Sequence, residues 1–260
     1  MHPTTTGRFR VHDRRERPAA AGPDDGDRRD AIDEEFVLVE HHDEPVAPAD
    51  PDAAEAYDPL YVDATAYDDA LGGDVADLDP GNVVETTLAW DDGDARFESV
   101  EVVRETRFRF ADDVEGIFEA AVEGWQDARA AGEAMTATTT RSQDGDPNGA
   151  LYLFADAPGR DTFAEMKAGT IPIEPLVARV TQRRDDDAER EVFVLRPTDY
   201  EFVAVYVVFE RDGVLAGTVR DTYNLGLGLA EGLDSAPDDQ GSDDDSNDDP
   251  DDEFDLQDRL

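Results

Sequence analysis

The sequence predicts an α+β protein: a small OB-like β-barrel over residues 1–110, then an α+β domain with an antiparallel or mixed sheet over 111–233. Three observations point there. Up to residue 110, short runs of alternating apolar and polar residues are separated by turn-rich loops. A helical apolar stripe opens the second half. Two later runs are apolar on both faces, as strands in the middle of a covered sheet are.

Taken in order, residues 7–14 (GRFRVHDR) place Phe9 and Val11 on one face of a strand and Arg8, Arg10, His12 and Arg14 on the other. The loop over 15–34 is long for a compact domain and is expected to be mobile. Residues 36–40 (FVLVE) and 60–65 (LYVDAT) are the next strands. Residues 82–90 (NVVETTLAW) and 95–110 follow, joined through Asp91-Asp92-Gly93-Asp94, which reads as a hairpin turn. Val114, Ile117, Phe118, Ala121, Val122 and Trp125 recur at helical spacing, with Asp112 and Glu115 placed as a capping box and Gly132 as the stop. Strands near 134–141 and 150–155, a helix near 161–168 and another begun by Pro175 come next. Residues 191–196 (EVFVLR) and 201–210 (EFVAVYVVFE) are the central strands, and Arg211-Asp212-Gly213 turns the chain into 214–219.

Charge says where such a chain works. Sixty-six acidic residues against 23 basic ones give a net charge of −43, a self-repulsion that disfavours the compact state in dilute buffer. At about 1 M salt the Debye length falls to about 3 Å and the repulsion is screened. The chain holds 44 Asp and a single lysine, Lys167, which trims apolar stem from the surface. A cytoplasmic protein of a salt-in halophile is expected. The charge is uneven: residues 1–30 carry seven Arg against six acids, while 234–260 carry thirteen acids and Arg259. That tail lacks apolar periodicity and is expected to be disordered and solubilising, with Phe254, Leu256 and Leu260 leaving room for a short docking motif. Zero cysteines exclude disulfides, thiolate metal sites and cysteine nucleophiles. No run approaches the roughly 18 apolar residues of a membrane span, and the first fifteen residues lack the apolar core of a signal peptide, so neither a membrane partner nor export is expected.

Candidate chemistry is sparse. Residues 144–149 (DGDPNG) match the first six positions of an EF-hand loop, so Asp144, Asp146, Asn148 and the Ala150 carbonyl could hold Ca²⁺ or Mg²⁺ in a hairpin. Ala155 stands where the bidentate Glu belongs, and Asp-Gly with Pro-Asn-Gly is ordinary turn chemistry, which is the plainer account. All four histidines, His2, His12, His41 and His42, fall in the first 42 residues. Pairing of the first two strands would bring His12 towards the HHDE run at 41–44, as ligands for a divalent transition metal; exposed strand-end histidines are the plainer account. Gly226, Gly228 and Gly232 lack the following helix and strand of a dinucleotide fingerprint. There is no P-loop, no G-x-S-x-G and no Cys/His pairing. Against the acidic background the Arg face stands out: Arg8, Arg10 and Arg14 on one strand, Arg107 and Arg109 on another. Neighbouring strands would make it a cationic surface for a nucleic-acid backbone or an acidic partner. The rival account pairs these residues with local acids such as Asp13, Glu16 and Glu105.

The run from LYVDATAYDD through VVRETRFRF, with DGDPNGALYLFAD, REVFVLRP and VVFERDGVLAGTVRDTY, resembles an uncharacterised haloarchaeal family described only as a domain of unknown function, over about residues 5–225. The resemblance implies a halophilic origin and carries over no catalytic or ligand residue. The leading functional expectation is a non-enzymatic binding protein that contacts RNA or DNA through Arg8, Arg10, Arg14, Arg107 and Arg109. The alternative is a protein-interaction or regulatory module that uses the acidic tail or an exposed apolar edge. A carboxylate- or metal-dependent enzyme is a distant third.

Overall fold

Apolar alternation sorts the strands into two mixed sheets in the computed structural model, which describes residues 3–17, 34–46, 55–156, 159–184, 186 and 188–226. His2, Gly228, Gly232, the expected tail and most of the 15–34 loop lie outside the described residues. The first sheet comprises β1 (Thr4–Glu16), β2 (Glu34–Glu40), β3 (Leu60–Asp63), β4 (Val83–Asp91) and β5 (Asp94–Arg104). These close into a ring in the order β1-β2-β3-β5-β4, with β4 pairing back onto β1. All neighbours are antiparallel except β3 and β5, which meet in parallel at Val62 and Ala95. Phe9, Val11, Phe36, Leu38, Val62, Val84, Leu88 and Phe97 fill the interior, joined by Val75 of α1 (Asp69–Ala76). The β4–β5 turn has φ of 51° at Asp92 and 100° at Gly93, the positive pair that a tight hairpin turn needs.

The second sheet comprises β6 (Arg107–Val114), β7 (Met135–Arg141), β8 (Pro147–Ala155), β9 (Glu191–Pro197) and β10 (Phe202–Val208), in the order β6-β9-β10-β8-β7. Phe193, Leu195, Phe202, Ala204 and Tyr206 face α2 (Glu119–Ala131) and α5 (Val214–Thr222). Val192, Val194, Val203, Val205 and Val207 face α3 (Thr162–Lys167) and α4 (Glu174–Arg184). The period of two thus puts apolar residues on both faces of β9 and β10 and builds three layers, helices on either side of the sheet. Among the described residues no helix is long and apolar enough to cross a membrane.

Three expectations change. Residues 95–110 are not one strand, because β6 leaves the ring and pairs in parallel with β9, so the expected division at residue 110 falls inside β6. The cause is a close approach at Gly81, whose φ is +102° and where a Cβ would stand 2.4 Å from the Phe108 nitrogen. Phe108 N–H donates to the Pro80 carbonyl at 2.7 Å, which draws the chain out of the ring. The first long helix starts at Glu119 and not at Asp112: β6 runs on to Val114, and positive φ at Asp113 and Gly116 turns the chain. Asp112 is held by Arg196 and caps nothing, although Val114 and Ile117 still share a core with Ala121 and Trp125. Finally, β1 carries a bulge. Val11 lies opposite Leu38 and Asp13 opposite Val37, so His12 is the extra residue and Arg14 moves to the face of Val11.

Candidate functional site

Each guanidinium of the expected Arg face has a carboxylate beside it. Arg8 Nη2 donates to Glu85 at 2.8 Å, across the β1–β4 pair, and its Nη1 lies 3.5 Å from Asp43. Arg14, moved by the bulge, donates to Glu34 at 2.9 and 2.6 Å and stacks over Phe36. Arg107 lies 3.7 Å from Asp212. Arg109 donates through Nε to Glu191 at 2.5 Å and also bonds the Gly226 carbonyl. Glu191 is fully buried and takes a second guanidinium from Arg220. Arg8, Arg10 and Arg14 sit on the ring and Arg107 and Arg109 on the second sheet, and Arg10 is buried away from any surface.

Arg10 is buried where the ring meets α4. Its Nε lies 2.5 Å from Glu174 Oε1 without the alignment of a hydrogen bond, so charge holds the pair. Its Nη1 donates to the Gly81 carbonyl at 2.7 Å, and its guanidinium stands 5.1 Å from the Phe108 ring centroid. His41 brings Nδ1 to 3.6 Å from the other Glu174 oxygen. Burial pushes the Glu174 carboxyl up, but Arg10 and His41 outweigh it and hold the carboxyl below its ordinary range. His12, beside this cluster, donates Nε2–H to the Met166 carbonyl at 2.6 Å and packs edge-on against Phe108. Burial lowers its pKa, so the ring is neutral. Far from an exposed strand end, His12 is wholly buried, while His42 turns to the Ala56 carbonyl at 2.9 Å. Among the described residues no three His, Cys, Asp or Glu side chains are placed to hold a metal ion.

Residues 144–149 span the end of the hairpin turn between β7 and β8 and the first residues of β8, and polar groups close the turn itself. Ser142 N–H donates to the Asp146 carbonyl at 2.8 Å, and Asn148 Oδ1 accepts from the Thr140 hydroxyl at 2.9 Å. That bond turns the Asn148 oxygen towards Thr140 of β7. A groove of about 790 Å³ opens on the ring, lined among others by Arg8, His41, Asp43, Glu85, Ser99 and Glu101. Three carboxylates against one guanidinium make it a poor phosphate site.

The β7 strand is different in kind. It is an edge, paired with β8 alone, and Met135, Ala137, Thr138, Thr139 and Arg141 are exposed. Residues 134–140 carry no charge in a chain that is 34% charged. Exposed edges are ordinarily guarded by charge, proline or a bulge; here the bulge comes only at Thr140/Arg141. The uncharged run is legible in the sequence, whereas the burial of Glu174 and Glu191 is not, since both look like solvated acids among 66.

Residues 1–232 match the family model described as "Family of unknown function (DUF6663)". No curated protein and no solved structure matches the chain.

Proposed function

We propose that this chain, which belongs to the DUF6663 family of unknown function, is a non-enzymatic interaction module that meets another protein through the β7 edge. The observation that carries the reading is the exposed, charge-free run at 134–140, most of β7, on a protein of net charge −43. Strand addition to an open edge supplies backbone hydrogen bonds whose strength needs no charge, which suits a cytoplasm at molar salt. The dominance of Asp, the near absence of Lys and the −43 charge support that halophilic, cytoplasmic setting. The ring order β1-β2-β3-β5-β4, with α1 between β3 and β4, supports an OB-like reading of the first sheet. The competing reading, RNA or DNA held by Arg8, Arg10, Arg14, Arg107 and Arg109, asks each guanidinium to give up a carboxylate and Arg10 to leave a buried pair.

The test has two arms. Filter binding in about 2 M KCl is expected to retain neither RNA nor DNA; retention that drops in an Arg8→Ser/Arg107→Ser variant overturns the reading. A photo-reactive residue at Thr139, in cells of high internal salt, is expected to form a protein adduct that one at the exposed Glu210 does not form. No adduct, or equal adducts at both positions, also overturns it.

A further inference from the structure

Backbone direction along β7 fixes what can pair with it. Ala155 N–H donates to the Ala134 carbonyl at 2.8 Å, so residues 134, 136, 138 and 140 point their backbone groups at β8. Met135, Ala137 and Thr139 therefore point theirs away from the sheet, and among the described residues nothing bonds them. An antiparallel strand reading these three outward positions completes the ladder.

We infer that this strand is β7 of a second copy of the chain, paired antiparallel about a two-fold axis at Ala137. The inference rests on the protein-contact reading above. In this register Ala137 faces itself, Met135 faces Thr139 of the partner subunit, and each of these outward residues exchanges both backbone bonds with its opposite. Thr136 lies opposite Thr138 of the partner subunit, a favourable cross-strand pair. At the two ends the register sets Glu133, just before β7, opposite Arg141 of the partner subunit, and symmetry repeats the pair; within each chain Arg141 Nη1 also donates to the Gly145 carbonyl at 2.8 Å. The segment is thus its own complement, in charge as well as in hydrogen bonding. Two copies of a chain of charge −43 cannot bring ordinary surface together without setting carboxylate against carboxylate; the 134–140 edge lets them meet without doing so. The result is one sheet running through both copies.

Sedimentation equilibrium of the full chain in about 2 M KCl tests this. The parent is expected at twice the 28.5 kDa chain mass at tens of micromolar, on the order of 10⁻⁵ M. Ala137→Pro removes an outward N–H and leaves the β8 ladder intact, so it is expected to be monomeric, with the thermal melt that the parent shows at concentrations low enough to dissociate it. Glu133→Arg alone is expected to weaken the dimer roughly tenfold at the lowest KCl that keeps the chain folded, and Glu133→Arg/Arg141→Glu to restore it. A parent that stays monomeric at about 10⁻⁴ M, an Ala137→Pro variant as dimeric as the parent, or a charge swap that fails to restore pairing overturns the inference. A monomeric parent whose Thr139 crosslinker still captures protein in cells overturns the second-copy partner alone and leaves the protein-contact reading standing.

Discussion

Replacing Glu174 by Gln should be among the most damaging isosteric changes in this chain, because it strands a buried cation. Arg10 and Glu174 are 1% and 3% exposed, so Glu174→Gln leaves the Arg10 guanidinium beside a neutral amide with almost no access to water. Breaking one partner of such a pair costs about 3–5 kcal/mol. For a folded region of this size that is a fall in Tm of about 6–20 °C, at about 2–4 °C per kcal/mol. Arg10→Met/Glu174→Leu removes both charges; its principal loss is the hydrogen bond that Arg10 gives to the Gly81 carbonyl, about 1 kcal/mol. The double variant should therefore be more stable than Glu174→Gln by about 2 kcal/mol or more. Urea unfolding at several KCl concentrations measures this. The Glu174→Gln loss should be nearly constant with salt, whereas the exposed Arg8–Glu85 pair should contribute under about 1 kcal/mol and fade with salt. Acid probes the same pair. The Glu174 pKa is depressed in the fold, so its contribution is whole above the unfolded carboxyl value of about 4.3 and is lost as pH falls through the folded value. A Glu174→Gln loss below about 1 kcal/mol, or a double variant as unstable as the single, would refute a dry, charge-held junction.

Four further outcomes are expected. Burial depresses His12, so its contribution is whole above about pH 6.5 and declines as pH falls below it; His12→Gln should flatten that part of the stability curve, and an unchanged slope counts against a neutral buried ring. Gly81→Ala should destabilise by at least about 2 kcal/mol in denaturant unfolding, since its φ is +102° and its Cβ would meet backbone atoms of Arg107 and Phe108; a neutral effect would show that the α1–β4 loop does not fix the start of β6. Titration calorimetry with Ca²⁺ should give the same heats for Asp146→Ala and parent, and a heat lost in the variant would restore a metal at the hairpin. Arg190→Lys keeps the charge but cannot serve both the Phe209 carbonyl, now bonded at 2.6 Å, and Asp186 in the same geometry; a loss of about 1–3 kcal/mol is expected, against less than about 0.5 for Arg8→Lys.

What could be read from the sequence was whatever a short stretch of chain decides alone. Asp92-Gly93 makes a hairpin because those residues tolerate positive φ, and Gly132 ends α2 at φ 72° for the same reason. Asp161 caps α3 by accepting from Ala164 N–H at 2.8 Å. The double-faced apolar runs became β9 and β10 at the sheet centre. Features set by a distant partner stayed hidden. Nothing between Val103 and Arg109 marks a break; the strand divides because Pro80 and Gly81, some 25 residues earlier by numbering, come against Arg107 and Phe108. The bulge at His12 depends on how β2 pairs, and it alone moves Arg14 off the face of Arg8 and Arg10. Glu174, before Pro175, has the look of a solvated first-turn acid; its burial follows from the ring landing on that helix.

The arginines explain why the neutral edge matters. In a chain with 66 acids and 23 bases, cations occupy the seams between elements. Arg10 ties the ring to α4, Arg196 ties β9 to Asp112 of β6 and to Asp161 before α3, and Arg211 ties the start of α5 to Glu105 and Glu189. Arginine suits the role because its fork reaches a carbonyl and a carboxylate together, as Arg10 and Arg190 do; an ammonium on a flexible stem presents no such fixed pair. Each such seam withdraws a positive charge from the surface and leaves the surrounding acids facing solvent. That exterior favours hydration in salt and repels polyanions, and it also repels copies of itself. The contact proposed above avoids that repulsion, because along the 134–140 run of β7 side-chain charge is missing and the backbone would supply the bonds.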